Sequence, residues 1–243
     1  MSDQEDDRLT GGMRFSTMDF DDLTETLEAA TYPQTPISGL GVADLSFVIN
    51  APLNYRLPAK PAPATLFFDH ADCVRELPED CYQVKCAYEL EADAFADWAR
   101  QAIGLLVHTL KKKGMVGTHL INLLEILRNS KTRQLHLAII PYQNRNELPL
   151  EKLRAFRFRT YYGSLFAGPD MTLEMYSEVG NALDEINPFP RCTWTFLGAN
   201  IYEYSPCIML LGEFDSGEED TEELDDLWEM SQGYPAFLKP FTD

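Results

Sequence analysis

The stretch that decides the fold reads YQVKCAYELEADAFADWARQAIGLLVHTLKKKG, residues 82–114. Tyr82, Val84, Cys86, Tyr88 and Leu90 alternate with Gln83, Lys85, Ala87, Glu89 and Glu91. A period of two sends the two sets to opposite faces, so the spacing predicts a strand with one buried side. Asp93 then stands where a helix cap belongs. Phe95, Trp98, Ala102, Ile103 and Leu106 follow as an apolar helical stripe. Lys111, Lys112 and Lys113 fall at the end where the helix dipole favours cations, and Gly114 stops the helix.

Outward from there, Thr118 is placed to cap a second helix carrying Leu120, Leu123, Leu124 and Leu127. Leu135, Leu137 and Ile139 read as a strand ending at Pro141. The second half reads mostly as strand. Phe156, Phe158, Thr160 and Tyr162 alternate with Ala155, Arg157, Arg159 and Tyr161; Met171, Leu173 and Met175 alternate too, as do Cys192, Trp194 and Phe196. Cys207 to Leu211 is one short apolar run. Upstream, residues 1–17 read as disordered and 19–30 as a short acidic helix with Phe20, Leu23 and Leu27 on one face. Residues 31–41 form a linker, 45–49 a strand, and 52–63 a proline-rich extended loop. The expected fold is α+β: a mostly antiparallel sheet with two helices packed on one face and acidic, flexible termini. The expected division is an arm and linker at 1–40, a single core domain at 41–212, and an acidic tail at 213–243.

The 243 residues are 45% hydrophobic and 12% aromatic, a globular composition. Five cysteines without framework spacing are expected to be reduced, in an intracellular setting. The acidic start is no secretory signal, and no apolar run is long enough to span a bilayer, so membrane contact would be peripheral. Lipidation signals are missing from both ends.

Charge is segregated. The formal net charge is -19, yet residues 98–169 hold twelve bases against three acids. The bases fall into local groups: Lys111, Lys112 and Lys113; Arg128, Lys131 and Arg133; Arg154, Arg157 and Arg159. Guanidinium groups interleaved with aromatics suit phosphates and lipid headgroups, with solvated surface charge as the plainer alternative. The acidic ends embed apolar residues, Phe20, Leu23 and Leu27 in one and Leu224, Leu227 and Trp228 in the other. Such segments dock into basic-rimmed grooves, fold back on the basic middle, or simply solubilise. His70, Cys73, Cys81 and Cys86 offer zinc-type ligands, but the spacing fits no finger and Cys86 sits on an apolar face, so no metal or cofactor is expected. No phosphate-loop, metalloprotease or hydrolase signature occurs, and no enzyme is expected. A site assembled only in space remains a third reading.

Three stretches carry a resemblance. One is the strand at 82–90 with its two helices and the strand at 135–140. The second is RAFRFRTYYG, residues 154–163, and the third is MTLEMY, residues 171–176. In their order they resemble the rhabdovirus matrix proteins. That resemblance implies a non-enzymatic, self-associating protein that bridges ribonucleoprotein and the inner face of an anionic membrane. It also implies a virion and host-cell location, and basic residues at the membrane. Two features depart from the family: the acidic arm, where a basic one is usual, implies a different mode of membrane binding, and the missing PPxY peptide implies a host other than an animal or another family entirely. The alternative reading is an intracellular adaptor or immunity-type protein whose acidic ends bind a basic partner.

Overall fold

A computed structural model describes residues 13–29, 43–57, 62–112, 114–143, 148–202 and 205–215. The chain divides into two compact units, Met1–Lys111 and Lys112–Asp243.

In the first unit, strands β1 (Arg14–Asp19), β2 (Thr24–Ala29), β3 (Leu45–Ile49), β4 (Thr65–Phe68) and β5 (Cys81–Cys86) lie in the order β2-β1-β3-β4-β5. β1, β3, β4 and β5 are mutually parallel; only the β1–β2 hairpin is antiparallel. The sheet is buried on both sides, as parallel sheets are. On one side Phe15, Phe47 and Phe68 meet helix α1 (Phe95–Lys111), with Trp98 5.8 Å from Phe68 and the Lys111 ammonium 5.7 Å above the Phe15 ring. On the other, Val48, Phe67 and Cys81 pack under Met18, Phe20, Tyr55, Leu57 and Leu77. The predicted one-sided strand at 82–90 is therefore a two-sided strand that stops at Cys86.

The predicted acidic helix at 19–30 is instead the β1–β2 hairpin. Asp19 Oδ1 accepts the N–H groups of Asp21 (2.9 Å) and Asp22 (3.3 Å), which turns the chain. Leu23 takes a left-handed φ of 52°, and threonines 24 and 26 favour the strand that follows. Phe20 packs on Tyr55 while Leu23 points to solvent, so the two share no apolar face. The side chain of Leu27 is outside the described residues.

The second unit holds helices α2 (Leu120–Arg128), α3 (Leu150–Leu153) and α4 (Leu173–Ile186) and strands β6 (Gln134–Pro141), β7 (Phe158–Ala167), β8 (Trp194–Ile201) and β9 (Cys207–Phe214). Its strand order is β6-β9-β7-β8, with β9 antiparallel to both β6 and β7, and β7 parallel to β8. The parallel pair needs a crossover, and α4 supplies it. Residues 171–175 alternate like a strand, yet the Thr172 hydroxyl caps the Met175 N–H at 3.2 Å. Met175, Tyr176, Val179 and Leu183 then bury one helical face. Thr118 does not cap α2. It bonds the Tyr162 hydroxyl at 2.8 Å, and His119 with Asn122 forms the cap.

Thr118 lies over Gly198, whereas α4 meets the neighbouring Leu197 from the opposite side, through Gly180 and a 3.0 Å bond from the Tyr176 hydroxyl to the Leu197 carbonyl. Helices thus cover both faces of this sheet. The expected antiparallel sheet with two helices on one face is corrected on both counts: the two long helices of residues 95–128 belong to different units, and four strands of the first unit run parallel.

Candidate functional site

Polar groups gather where the parallel strands of the first unit end. Ligands of α/β sheets bind outside these carboxyl ends. Asp69 directly follows β4 and is buried. Its two oxygens take the Arg75 guanidinium, Nε to Oδ2 at 3.0 Å and Nη2 to Oδ1 at 2.8 Å. Arg75 also donates to the carbonyls of Ala51 (2.7 Å) and Pro52 (3.3 Å) and lies 4.7 Å from the Phe67 ring centre. Gln83 Nε2 completes the cluster, donating to Asp69 Oδ2 (2.8 Å) and the Cys73 carbonyl (3.1 Å). The hydrogen bond to Asp69 pushes the Arg75 pKa up, and burial pushes the Cys73 thiol up, away from thiolate chemistry.

A second cluster sits between the ends of β1 and β3. Arg100, on α1, donates to Asp19 at 2.8 Å and pairs with Asp22 at 2.6 Å and Asp97 at 3.3 Å. Its pKa is raised, first by the bond to Asp19. Asn50 reaches Asp21 at 2.6 Å. Both guanidinium groups are thus engaged by carboxylates, and together they hold the turns after β1, β3 and β4.

The second unit carries a cleft of about 220 Å³ lined by Arg157, Phe158, Glu185, Ile186, Asn187, Pro188, Arg191 and Asp215. Burial raises the Asp184 carboxyl beside it. Burial and then Asp184 raise the Cys192 thiol.

No family model and no curated protein matches the sequence. Solved structures do. FtsZ of M. jannaschii, a tryptophan-to-tyrosine mutant, aligns at 12% identity over 70% of this chain and 65% of that one, with a TM-score of 0.51. The chain has an FtsZ-like fold. It spans about 65% of that FtsZ's length. CetZ2 from Haloferax volcanii, solved as a GTPγS-bound protofilament, aligns at 12% identity over 78% and 72% with a TM-score of 0.49. A TubZ-Bt four-stranded filament aligns at 10% identity over 78% and 68% with a TM-score of 0.43.

The FtsZ-like fold overturns the matrix reading. A ribonucleoprotein partner, a membrane-coating role and a virion location rested on that resemblance and are withdrawn with it. The adaptor alternative finds no support either. The expectation of no enzyme, which rested on missing sequence signatures, and that of no small-molecule substrate are withdrawn too, since the chain shares its fold with FtsZ and not with a matrix protein.

The turns at the carboxyl end do not themselves fit a nucleotide phosphate. Residues 20–23, 50–57, 69–80 and 87–91 contain no glycine, so none offers the close backbone approach that a phosphate loop needs. The turn into α1 brings Glu89, Glu91, Asp93 and Asp97 to a helix N-terminus, where they oppose an anion. Gly11, Gly12, Gly39 and Gly41 lie outside the described residues.

The bases singled out from sequence are dispersed. Lys111 ends α1 and Lys112 follows it exposed; Lys113 is outside the described residues. Arg128, Lys131 and Arg133 surround the turn after α2, where backbone N–H groups of Lys131 and Thr132 bind Glu213 at 2.9 and 2.7 Å. Arg154 pairs with Glu151 at 3.4 Å, Arg157 lines the cleft, and Arg159 is half-buried at the start of β7. His70 stacks on Phe95 and Cys81 is buried in the sheet; with Cys73 and Cys86 they form no metal-binding group among the described residues. Leu224, Leu227 and Trp228 lie outside the described residues. Sequence reasoning missed Asp19, Asp69, Arg75, Gln83 and Arg100. The signal for Asp69 was a carboxylate placed directly after the buried run Leu66-Phe67-Phe68.

Proposed function

We propose that the chain is a self-associating subunit of the FtsZ-like kind, which polymerises as cytoskeletal proteins do. The FtsZ-like fold is the observation that supports this reading, because FtsZ and its relatives are filament-forming. GTP is the small molecule to pair with it, as the substrate of that enzyme class. Sedimentation velocity over a wide concentration range, with and without GTP, tests both parts. Growth of the sedimenting species with concentration is expected. A chain that stays monomeric at every concentration, in both arms, would refute self-association. Phosphate release in the GTP arm would place nucleotide chemistry outside the turns that bear no glycine.

A further inference from the structure

The bases of the second unit stand in separate loops, but several of those loops share one end of its sheet. β9 finishes at that end while β6 and β7 begin there, since both run antiparallel to it. Phe214 stacks on His136 and on Phe158, with ring centres 4.3 and 5.2 Å away. The backbone N–H groups of Lys131 and Thr132 hold Glu213 on one side, and the Asp215 N–H reaches the Arg157 carbonyl at 3.0 Å on the other. Arg128, Lys131 and Arg133 belong to the turn before β6, Arg157 and Arg159 to the start of β7, and Arg191 lines the cleft with Arg157 and Asp215. These six bases stand against Glu125, Asp184, Glu185 and Asp215, with Glu213 already engaged by the backbone. In a chain of net charge -19, bases outnumber acids here. Exposed aromatics share the end: Phe189 follows α4, and Trp194 opens β8, where it pairs with Thr160.

The chain supplies the complement directly after Asp215. Residues 218–229 hold eight acids and no base, with Leu224, Leu227 and Trp228 set among them. Residues 216–223 separate this apolar trio from Asp215 and can span up to about 30 Å. We propose that residues 218–229 dock on the basic end of the same molecule's second unit, the acids against Arg128, Lys131 and Arg157 and the apolar trio against Phe189 and Trp194. Guanidinium–carboxylate pairs supply the charge match, and the aromatics supply the anchor. A connection this short holds the segment at roughly millimolar effective concentration. A contact with an intrinsic Kd of only ~0.1 mM would then be closed about ten times as often as open. The docking is independent of self-association. Its consequence is that anions and anionic surfaces meet an acidic cover in place of the basic end.

A glutamate-specific protease tests it on the full chain. Cleavage between Glu218 and Glu229 is expected to be about tenfold slower than in a synthetic peptide of residues 216–243 in the same buffer. Neutralising the basic end by Arg128→Gln, Lys131→Gln and Arg157→Gln should bring the rate back to that of the peptide. Leu224→Ser with Leu227→Ser and Trp228→Ser should do the same, measured against a peptide of matching sequence. The three bases are exposed, and circular dichroism confirms that the variant is folded. The unaltered chain in about 0.5 M salt should show the same release with no substitution at all. Cleavage as fast in the chain as in the peptide would overturn the docking. So would protection that persists both in the neutralised variant and in salt. Protection that grows with protein concentration would assign the segment to a second molecule and overturn the intramolecular contact. Protection that is constant across concentration supports it, whether or not the chain self-associates.

Discussion

The two units fasten their loops to their sheets by different chemistry. In the first, the fasteners are ions: Asp69 with Arg75, and Asp19, Asp22 and Asp97 with Arg100. In the second they are mostly neutral. Thr118 meets Tyr162 at 2.8 Å, the Tyr142 hydroxyl donates to the Phe166 carbonyl at 2.9 Å, and Asn187 accepts the Phe158 N–H at 2.6 Å. Glu213, which accepts two backbone N–H groups, is the charged member there. A buried ion pair adds little net stability over an apolar replacement, but it penalises any half-change severely. Neutral bonds are individually weaker and more forgiving. The first unit should therefore be brittle to single substitutions and the second tolerant.

The largest expected effect tests that brittleness. Asp69→Ala strands the Arg75 charge and should lower unfolding free energy by about 3–5 kcal/mol in urea titrations. Asp69→Leu combined with Arg75→Met should recover most of it. A loss near 1 kcal/mol for Asp69→Ala would erase the contrast between the units. Next comes Gly114→Ala in the second unit. A Cβ there meets the Ala199 carbonyl and Asn200 Oδ1, and the expected loss is about 1–3 kcal/mol. Tyr162→Phe removes the hydroxyl that Thr118 meets and should cost about 1 kcal/mol. Thr172→Ala, which uncaps α4, should cost a similar ~1 kcal/mol. Both are read from the same titrations.

The smallest effect concerns pH. Burial raises the Asp184 carboxyl above its unfolded value. Its neutral form is the favoured one in the fold, so its contribution is present below the unfolded pKa and is lost as pH rises through the folded one. Asp184→Asn should therefore raise Tm at pH 7 by about 1–2 °C, with the gain vanishing in acid where wild-type Asp184 is itself protonated.

The parts legible in sequence were those whose period is long and unbroken. The stripe from Phe95 to Leu110 announced α1, and Leu135 to Ile139 announced β6. The parallel sheet was illegible because its usual rhythm is missing. β3, β4 and β5 follow one another through turns with no helix among the described residues, and β4 has only four residues. MTLEM alternates as well as any strand, and only the Thr172 cap decides it for a helix. The ionic clusters were hidden for a different reason. Asp19 and Arg100 are far apart in sequence, and charge counted along the chain does not reveal which charges share a partner.

β8 is the outer strand of the second unit's sheet, and a bare outer strand recruits others. Here the loop after α1 lays Val116 against Ala199, with N–H to carbonyl distances of 3.3 and 2.9 Å, and Gly114 allows the close approach. The rungs at Ala199 are spoken for, so a strand from another molecule cannot run the length of that margin. Sideways stacking into a continuous ladder, the route by which such sheets misassemble, is interrupted toward the end of β8 by the chain's own backbone at Val116.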